Sequence, residues 1–269
     1  MNTPVMATYG HGTENDFLII FDALEEISLS ANQVAALCNR QTGIGADGVI
    51  RITRPDGKWF MDYRNADGSI AEMCGNGIRV MARYLVARGH QNEGLFPIQT
   101  RDGAKYLRVP ADGDISVNMG QVTDEGDIVT VSVNGNEYSA RHISIGNPHA
   151  VAFLEDLDTV GSLALAPQVT PASIYPAGVN VEFVEIESSD TLIMRVHERG
   201  SGETRSCGTG TCAVAIAATI HTRGHLPARW IIKPPGGTLI VDIDGHSNAT
   251  LTGPAVLLED HDITSYLTL

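Results

Sequence analysis

The sequence predicts an α+β protein of two pseudo-symmetric domains, each with strands wrapped around a central helix. Three observations support this. Strand-length runs that are apolar or alternating predominate, three stretches read as helices, and one pattern of polar residues and glycines occurs twice at nearly constant spacing.

In chain order, "FLIIF" (17–21), "GVIRIT" (48–53), "WFMDY" (59–63), "DISVNM" (114–119), "DIVTVSV" (127–133), "VNVEFVEI" (179–186), "TLIMRV" (191–196), "RWIIK" (229–233) and "TLIVDI" (238–243) read as strands. Helices are expected over 31–40, an amphipathic stretch, and over 76–88 and 208–222. The last two each begin just after a cysteine and stop before a glycine, Gly89 or Gly224. From Cys212 to Ile220 the third is apolar almost all round, so protein should enclose it.

The repeat is visible in "MCGNGIRVMA" from Met73 and "SCGTGTCAVA" from Ser206, which share Cys, two Gly and a final Ala. The spacing from Cys74 to Cys207 equals that from Asp47 to Asn180, and the spacing from Asn15 to Asn147 is one residue shorter. Three polar landmarks beside strand-like runs thus recur in the same order, and two homologous halves follow. The boundary falls near "MGQVTDEGD" (119–127), where glycine and acidic residues interrupt the apolar pattern.

A chain of 269 residues with a formal net charge of -14 is a poor partner for nucleic acid or an anionic membrane, both of which need clustered Lys and Arg. No apolar run approaches the roughly 20 residues of a membrane span, and the opening "MNTPVMATYGHG" has no leader pattern. A cytoplasmic protein is expected. Its four cysteines, Cys38, Cys74, Cys207 and Cys212, lack paired C-x-x-C spacing, so reduced thiols are expected rather than disulfides or a metal site.

A thiol at a helix N-terminus faces unpaired first-turn N–H groups and the positive end of the macrodipole, which favour its anion. A lone cysteine there also reads as a packed apolar side chain. Two equivalent cysteines, one per half, change the balance. Facing thiols can remove a proton from one side of a stereocentre and return one from the other, which is racemase or epimerase chemistry. The glycines of "CGNG" and "CGTG" let backbone N–H groups approach a substrate carboxylate and hold the charge that builds on it. No cofactor and no metal are needed, and the partner is a small-molecule substrate.

With "HGTENDF" (11–17), "RNADGSIAEMCGNGIR" (64–79), "GNPH" (146–149) and "ERGSGETRSCGTGTCA" (198–213) in this order, the chain resembles the diaminopimelate epimerases along essentially its whole length. That resemblance implies a mostly antiparallel sheet around each central helix. It also implies a C-terminal strand that returns to the first half, giving domains 1–120 with 254–269, and 121–253. Catalysis by Cys74 and Cys207 is implied, with His149 close to the thiols. Gly75, Asn76, Gly208 and Thr209 would hold the reacting carboxylate through their backbone. Asn15, Asn65, Asn147, Asn180 and Arg199 would read the distal end of the substrate, and Glu198 with the backbone at Arg199 would take its ammonium group. A homodimer is implied as well.

Two departures stand out: "HGTEN" where many members have glycine before the asparagine, and Gly48 where some have a substrate-contacting glutamine. Two rival readings remain at this point. A proline or hydroxyproline racemase shares the paired cysteines but typically carries histidine where Asn76 stands. A non-catalytic amino-acid binder or thiol redox switch would join Cys74 to Cys207 on oxidation.

Overall fold

The computed structural model describes residues 4–222 and 224–268. The chain divides into two compact units, Met1–Val117 with Pro254–Leu269, and Asn118–Gly253.

The first unit contains β1 (Met6–Gly12), β2 (Asn15–Phe21), α1 (Ala31–Cys38), β3 (Gly48–Thr53), β4 (Phe60–Asn65), α2 (Gly75–Ala87), β5 (Gly94–Thr100) and β6 (Gly103–Val109); β7 (Ile115–Gln121) runs through the junction. The second contains β8 (Thr123–Val133), β9 (Asn136–Ser144), β10 (Pro148–Leu154), β11 (Gln168–Thr170), β12 (Asn180–Ile186), β13 (Thr191–Glu198), β14 (Gly202–Thr204), α3 (Gly208–Thr222), β15 (Ala228–Lys233), β16 (Leu239–Ile243) and β17 (Asn248–Gly253). The last strand, β18 (Val256–Asp262), belongs to the first unit.

Strand order exposes the duplication. In the first unit the neighbours run β18–β1–β2–β3–β4–β5–β6–β7, parallel only at β2–β3 and β4–β5. In the second they run β8–β9–β10–β12–β13–β15–β16–β17, parallel only at β10–β12 and β13–β15. The two ladders have the same sequence of directions, and the C-terminal β18 occupies in one unit the place that β8 takes in the other. Both sheets are therefore mostly antiparallel.

Each sheet wraps one helix. α2 packs on β1, β2, β3, β6 and β18, burying Ile78, Val80, Met81, Ala82 and Leu85. α3 packs on β9, β10, β12, β15, β16 and β17, and every residue from Gly210 to Thr219 is buried, as its all-round apolar sequence requires. α1 is different in kind. Ser30 closes its N-terminus in a capping box with Gln33, and its Val34, Leu37 and Cys38 join Leu18, Ile20 and Val49 in a separate apolar cluster. The helices begin and end within a residue or two of the expected bounds.

Candidate active site

Each cysteine caps a helix with its sulfur. Cys74 has extended φ and ψ (-138° and 119°), its Sγ accepts the N–H of Gly77 at 3.4 Å, and its carbonyl accepts the N–H of Ile78 at 2.9 Å. Cys207 does the same: its Sγ accepts from Gly210 N at 3.4 Å and its carbonyl from Thr211 N at 2.9 Å. A sulfur here does the work usually done by a serine or aspartate oxygen. The N–H groups of Gly75 and Asn76, and of Gly208 and Thr209, lie at the very start of the two helices, where no intrahelical carbonyl can serve them. Each turn thus presents a thiol beside an anion-accepting pair of amides.

Around Cys74 the partners are amides and a cation. Asn15 Oδ1 lies 3.6 Å from its sulfur and accepts from Asn76 Nδ2 at 3.2 Å. Asp47 fixes Asn15 from behind, accepting its Nδ2 at 2.8 Å, and Arg40 in turn binds Asp47 and Asp16. Arg79 is completely buried beside the first turn, donating to Gly75 O and Asn76 Oδ1 at 3.0 Å each. Asn65, at the end of β4, donates to Ser69 Oγ at 3.0 Å.

Around Cys207 the partners are acids. Its thiol is 5% exposed, and burial together with the charges of Glu198 and Glu182 pushes its pKa well above the ordinary thiol value, against the pull of Thr209 and the Gly210 N–H. The expected preference of the helix terminus for a thiolate is thus overridden at this turn by burial and two carboxylates. Glu198 has its own pKa raised by burial, opposed by hydrogen bonds from the Thr204 hydroxyl and the Cys207 thiol. Thr209 Oγ1 lies 3.5 Å from Cys207 Sγ and accepts from Asn147 Nδ2 at 3.3 Å. Asn147 Oδ1 is 3.1 Å from His149 Nε2, and His149 Nδ1 is 2.7 Å from Glu182 Oε1. Asn180 serves the backbone, accepting from Arg199 N at 2.9 Å and donating to Pro148 O at 3.2 Å, so it sets the turn that carries Arg199.

The expected residues therefore assemble into one cluster per unit: Asn15, Gly75 and Asn76 with Cys74, and Asn147, His149, Glu198, Gly208 and Thr209 with Cys207. Asn65 and Asn180 with Arg199 stand beyond these first contacts of the thiols. The second departure has a local cause, and the first falls in a strained turn. Thr13 and Glu14, in the hairpin between β1 and β2, hold left-handed φ of 50° and 58°, the conformation that suits glycine there. At Gly48 a Cβ would sit 2.5 Å from Arg64 O and 2.7 Å from the Tyr63 ring, so no glutamine fits without moving β4.

Glu182, Arg79 and Asp47 were not expected in these clusters. Glu182 carried a signal, because it stands two residues after Asn180 on the same face of a strand. Arg79 carried none, since an arginine on a helix ordinarily reads as solvated. Among the described residues no group of three His, Cys, Asp or Glu is arranged to hold a metal ion.

Fold and site together define a class of two-unit proteins that place a cysteine turn at the head of each central helix. Solved structures share the fold. A PhzF-family phenazine biosynthesis protein from Bacillus anthracis superposes with a TM-score of 0.70 at 16% identity, covering 97% of this chain and 99% of that one. A hydroxyproline epimerase from Agrobacterium vitis gives 0.68 at 15% identity, covering 97% and 91%. At such identities the likeness concerns fold alone. Sequence goes further: the diaminopimelate epimerase family model matches residues 7–124 and 141–258. The diaminopimelate epimerase of Streptomyces coelicolor is 46% identical over 98% of this chain and 97% of its own, and that of Thermobifida fusca is 44% identical over 94% and 96%. The chain belongs to the diaminopimelate epimerase family.

Proposed function

We propose that the protein interconverts LL- and meso-diaminopimelate by proton transfer at one α-carbon, with Cys74 and Cys207 as the two proton-transfer groups. The observation that supports it most is the doubled cap, a sulfur and two first-turn amides at the head of both α2 and α3. One cysteine, as thiolate, takes the α-proton and gains an S–H bond. The freed electron pair spreads onto the substrate carboxylate, whose growing charge is met by the N–H groups of Gly75, Asn76, Gly208 and Thr209. Donors of this kind are each worth a factor of about 10² to 10³ in rate. The other cysteine gives its proton to the opposite face, and the configuration inverts. Atoms and charge balance with the two thiols and the substrate alone.

In this reading Asn15, Asn65, Asn147, Asn180 and Arg199 sort the distal amino-acid head, and Glu198 accepts its ammonium. A set of amides built for such a head discriminates strongly against a substrate that lacks it. The proline-racemase and thiol-switch readings are not favoured: the family is that of the diaminopimelate enzymes. The work belongs in the cytoplasm, where thiols stay reduced; the four cysteines are free and no described helix is long and apolar enough to cross a membrane.

Purified protein should epimerise LL-diaminopimelate and leave L-proline and trans-4-hydroxy-L-proline untouched, as followed by chiral chromatography. Turnover of either proline without turnover of diaminopimelate would overturn the assignment.

A further inference from the structure

Arg79 is a charge inside the core of the first unit. It has no exposed surface, and its guanidinium lies beside the first turn of α2, donating to Gly75 O and Asn76 Oδ1 at 3.0 Å each and to Pro254 O at 3.4 Å. Burying a cation is costly, so its place there asks for a use. Gly12 of β1 leaves it room: a Cβ at that position would lie 3.1 Å from Asn76 O and 3.2 Å from Arg79 Nη2.

At the other end of the same run of contacts stands a carboxylate. Asp47 Oδ2 accepts from Asn15 Nδ2 at 2.8 Å and from Asp16 N at 3.2 Å, and Asp47 Oδ1 accepts from Arg40 at 2.8 Å. Between the two charges lie two amides, joined by the 3.2 Å bond from Asn76 Nδ2 to Asn15 Oδ1. A guanidinium can only donate and an ionised carboxylate can only accept, so the ends dictate which way both amides face. Turning Asn15 over would set its NH2 against that of Asn76 and its oxygen against Asp47. Turning Asn76 over would set its NH2 against Arg79 and its oxygen against that of Asn15. The one consistent arrangement leaves Asn15 Oδ1 beside Cys74, 3.6 Å from the sulfur.

We infer that Asp47 and Arg79 are positioning residues that lock the Asn15 and Asn76 amides in one sense, so that Asn15 meets the substrate as a hydrogen-bond acceptor. This rests on the reading of Asn15 as a substrate contact. The two charges act from behind the amides, and bonds to charged partners are roughly twice as strong as neutral ones, so the sense is set before substrate arrives. Asp47→Asn keeps the shape and removes the charge. Its neutral amide can turn either way, and one sense is no longer imposed.

Two readouts test this, and the first needs no turnover. The side-chain NH2 signals of Asn15 and Asn76 in 15N-labelled protein are assigned with Asn15→Ala and Asn76→Ala and followed by hydrogen exchange. In wild type the Asn15 pair should exchange about tenfold more slowly than a solvent-facing asparagine. Asp47→Asn should lose that protection, and Arg40→Met, which removes the ion pair but not the bond from Asp47 to Asn15, should keep it. Unchanged exchange in Asp47→Asn, or equal loss in Arg40→Met, would overturn the inference. The second readout is kinetic. Asp47→Asn and Arg79→Met should each raise KM for diaminopimelate about tenfold with kcat changed less than about threefold, and Arg79→Lys, which keeps a donor, should recover part of the loss. In an Asn15→Ala background the effect of Asp47→Asn should vanish; an undiminished effect there would mean that Asp47 does not act through Asn15. Should Arg79→Met not fold, Asp47→Asn and Arg79→Lys decide. Absence of diaminopimelate turnover in wild type would strike the substrate reading, and the exchange measurement would still decide the positioning.

Discussion

Gly77 and Gly210 hold the same place in the two helix starts, third after a cysteine whose sulfur takes their N–H, yet different floors lie beneath them. Under Gly77 a Cβ would meet the ends of Ile50 and Met61 at 3.0 Å and Phe17 at 3.3 Å. Under Gly210 it would meet Glu182. The buried charges differ in the same sense: Arg79 stands beside the first turn of α2, and at the matching place in α3 stands Cys212, fully buried and uncharged. Duplication has preserved the backbone of the turn, and anion binding is backbone work. The side chains beneath have diverged, to apolar tips under one turn and a carboxylate under the other.

The largest effect tests what the turns share. Cys74→Ser and Cys207→Ser should each lower kcat for epimerisation by about 10² to 10⁴ with little change in folding, since a hydroxyl is a far weaker base. Steady-state assays beside circular dichroism would show it. Near-normal turnover in either variant would remove that cysteine from the reaction.

A smaller effect tests what the floors do. Gly210→Ala should destabilise by about 1–3 kcal/mol, because the carboxylate it strikes is pinned by His149. Gly77→Ala meets flexible apolar tips and gains helix propensity of up to about 1 kcal/mol, so its net cost should be less. Urea midpoints compare the two, and equal costs would erase the distinction.

The smallest effect is on pH. The folded state raises the pKa of Cys207, so its contribution to stability is complete below the unfolded thiol value of about 8.5 and is lost as pH rises through the folded value. Wild type should therefore lose thermal stability above that pH more steeply than Cys207→Ser, which does not titrate there. Parallel melting curves from pH 7 to 10.5 would contradict this.

Much of this was legible in the amino-acid sequence. The Cys-Gly-x-Gly pair, the spaced asparagines and the all-apolar 212–220 stretch point to a duplicated helix-in-sheet unit, because each is a local pattern with a backbone consequence. What stayed hidden depends on pairing. β1 carries two glycines, and β5, "GLFPIQT", is interrupted by Pro97, so neither reads as a strand until its neighbours supply the ladder. Glu182 alternates with Val181 and Phe183 and so reads as solvent-facing, with the strand face it shares with Asn180 as its one contrary mark. α3 covers the face that carries Glu182, and a cluster of Val181 and Phe183 with Leu157, Val160 and Tyr175 covers the other, so an ordinary polar position becomes a buried acid. Arg79 is hidden for the same reason on α2.

The most direct measurement is label uptake at the reacting carbon in heavy water. Starting from LL-diaminopimelate, early product should carry deuterium at the inverted α-carbon while recovered starting material stays unlabelled, because one sulfur takes the original proton and another delivers a solvent-derived one. Deuterium entering substrate and product at equal rates from the outset would mean a single base serving both faces, and would contradict the account.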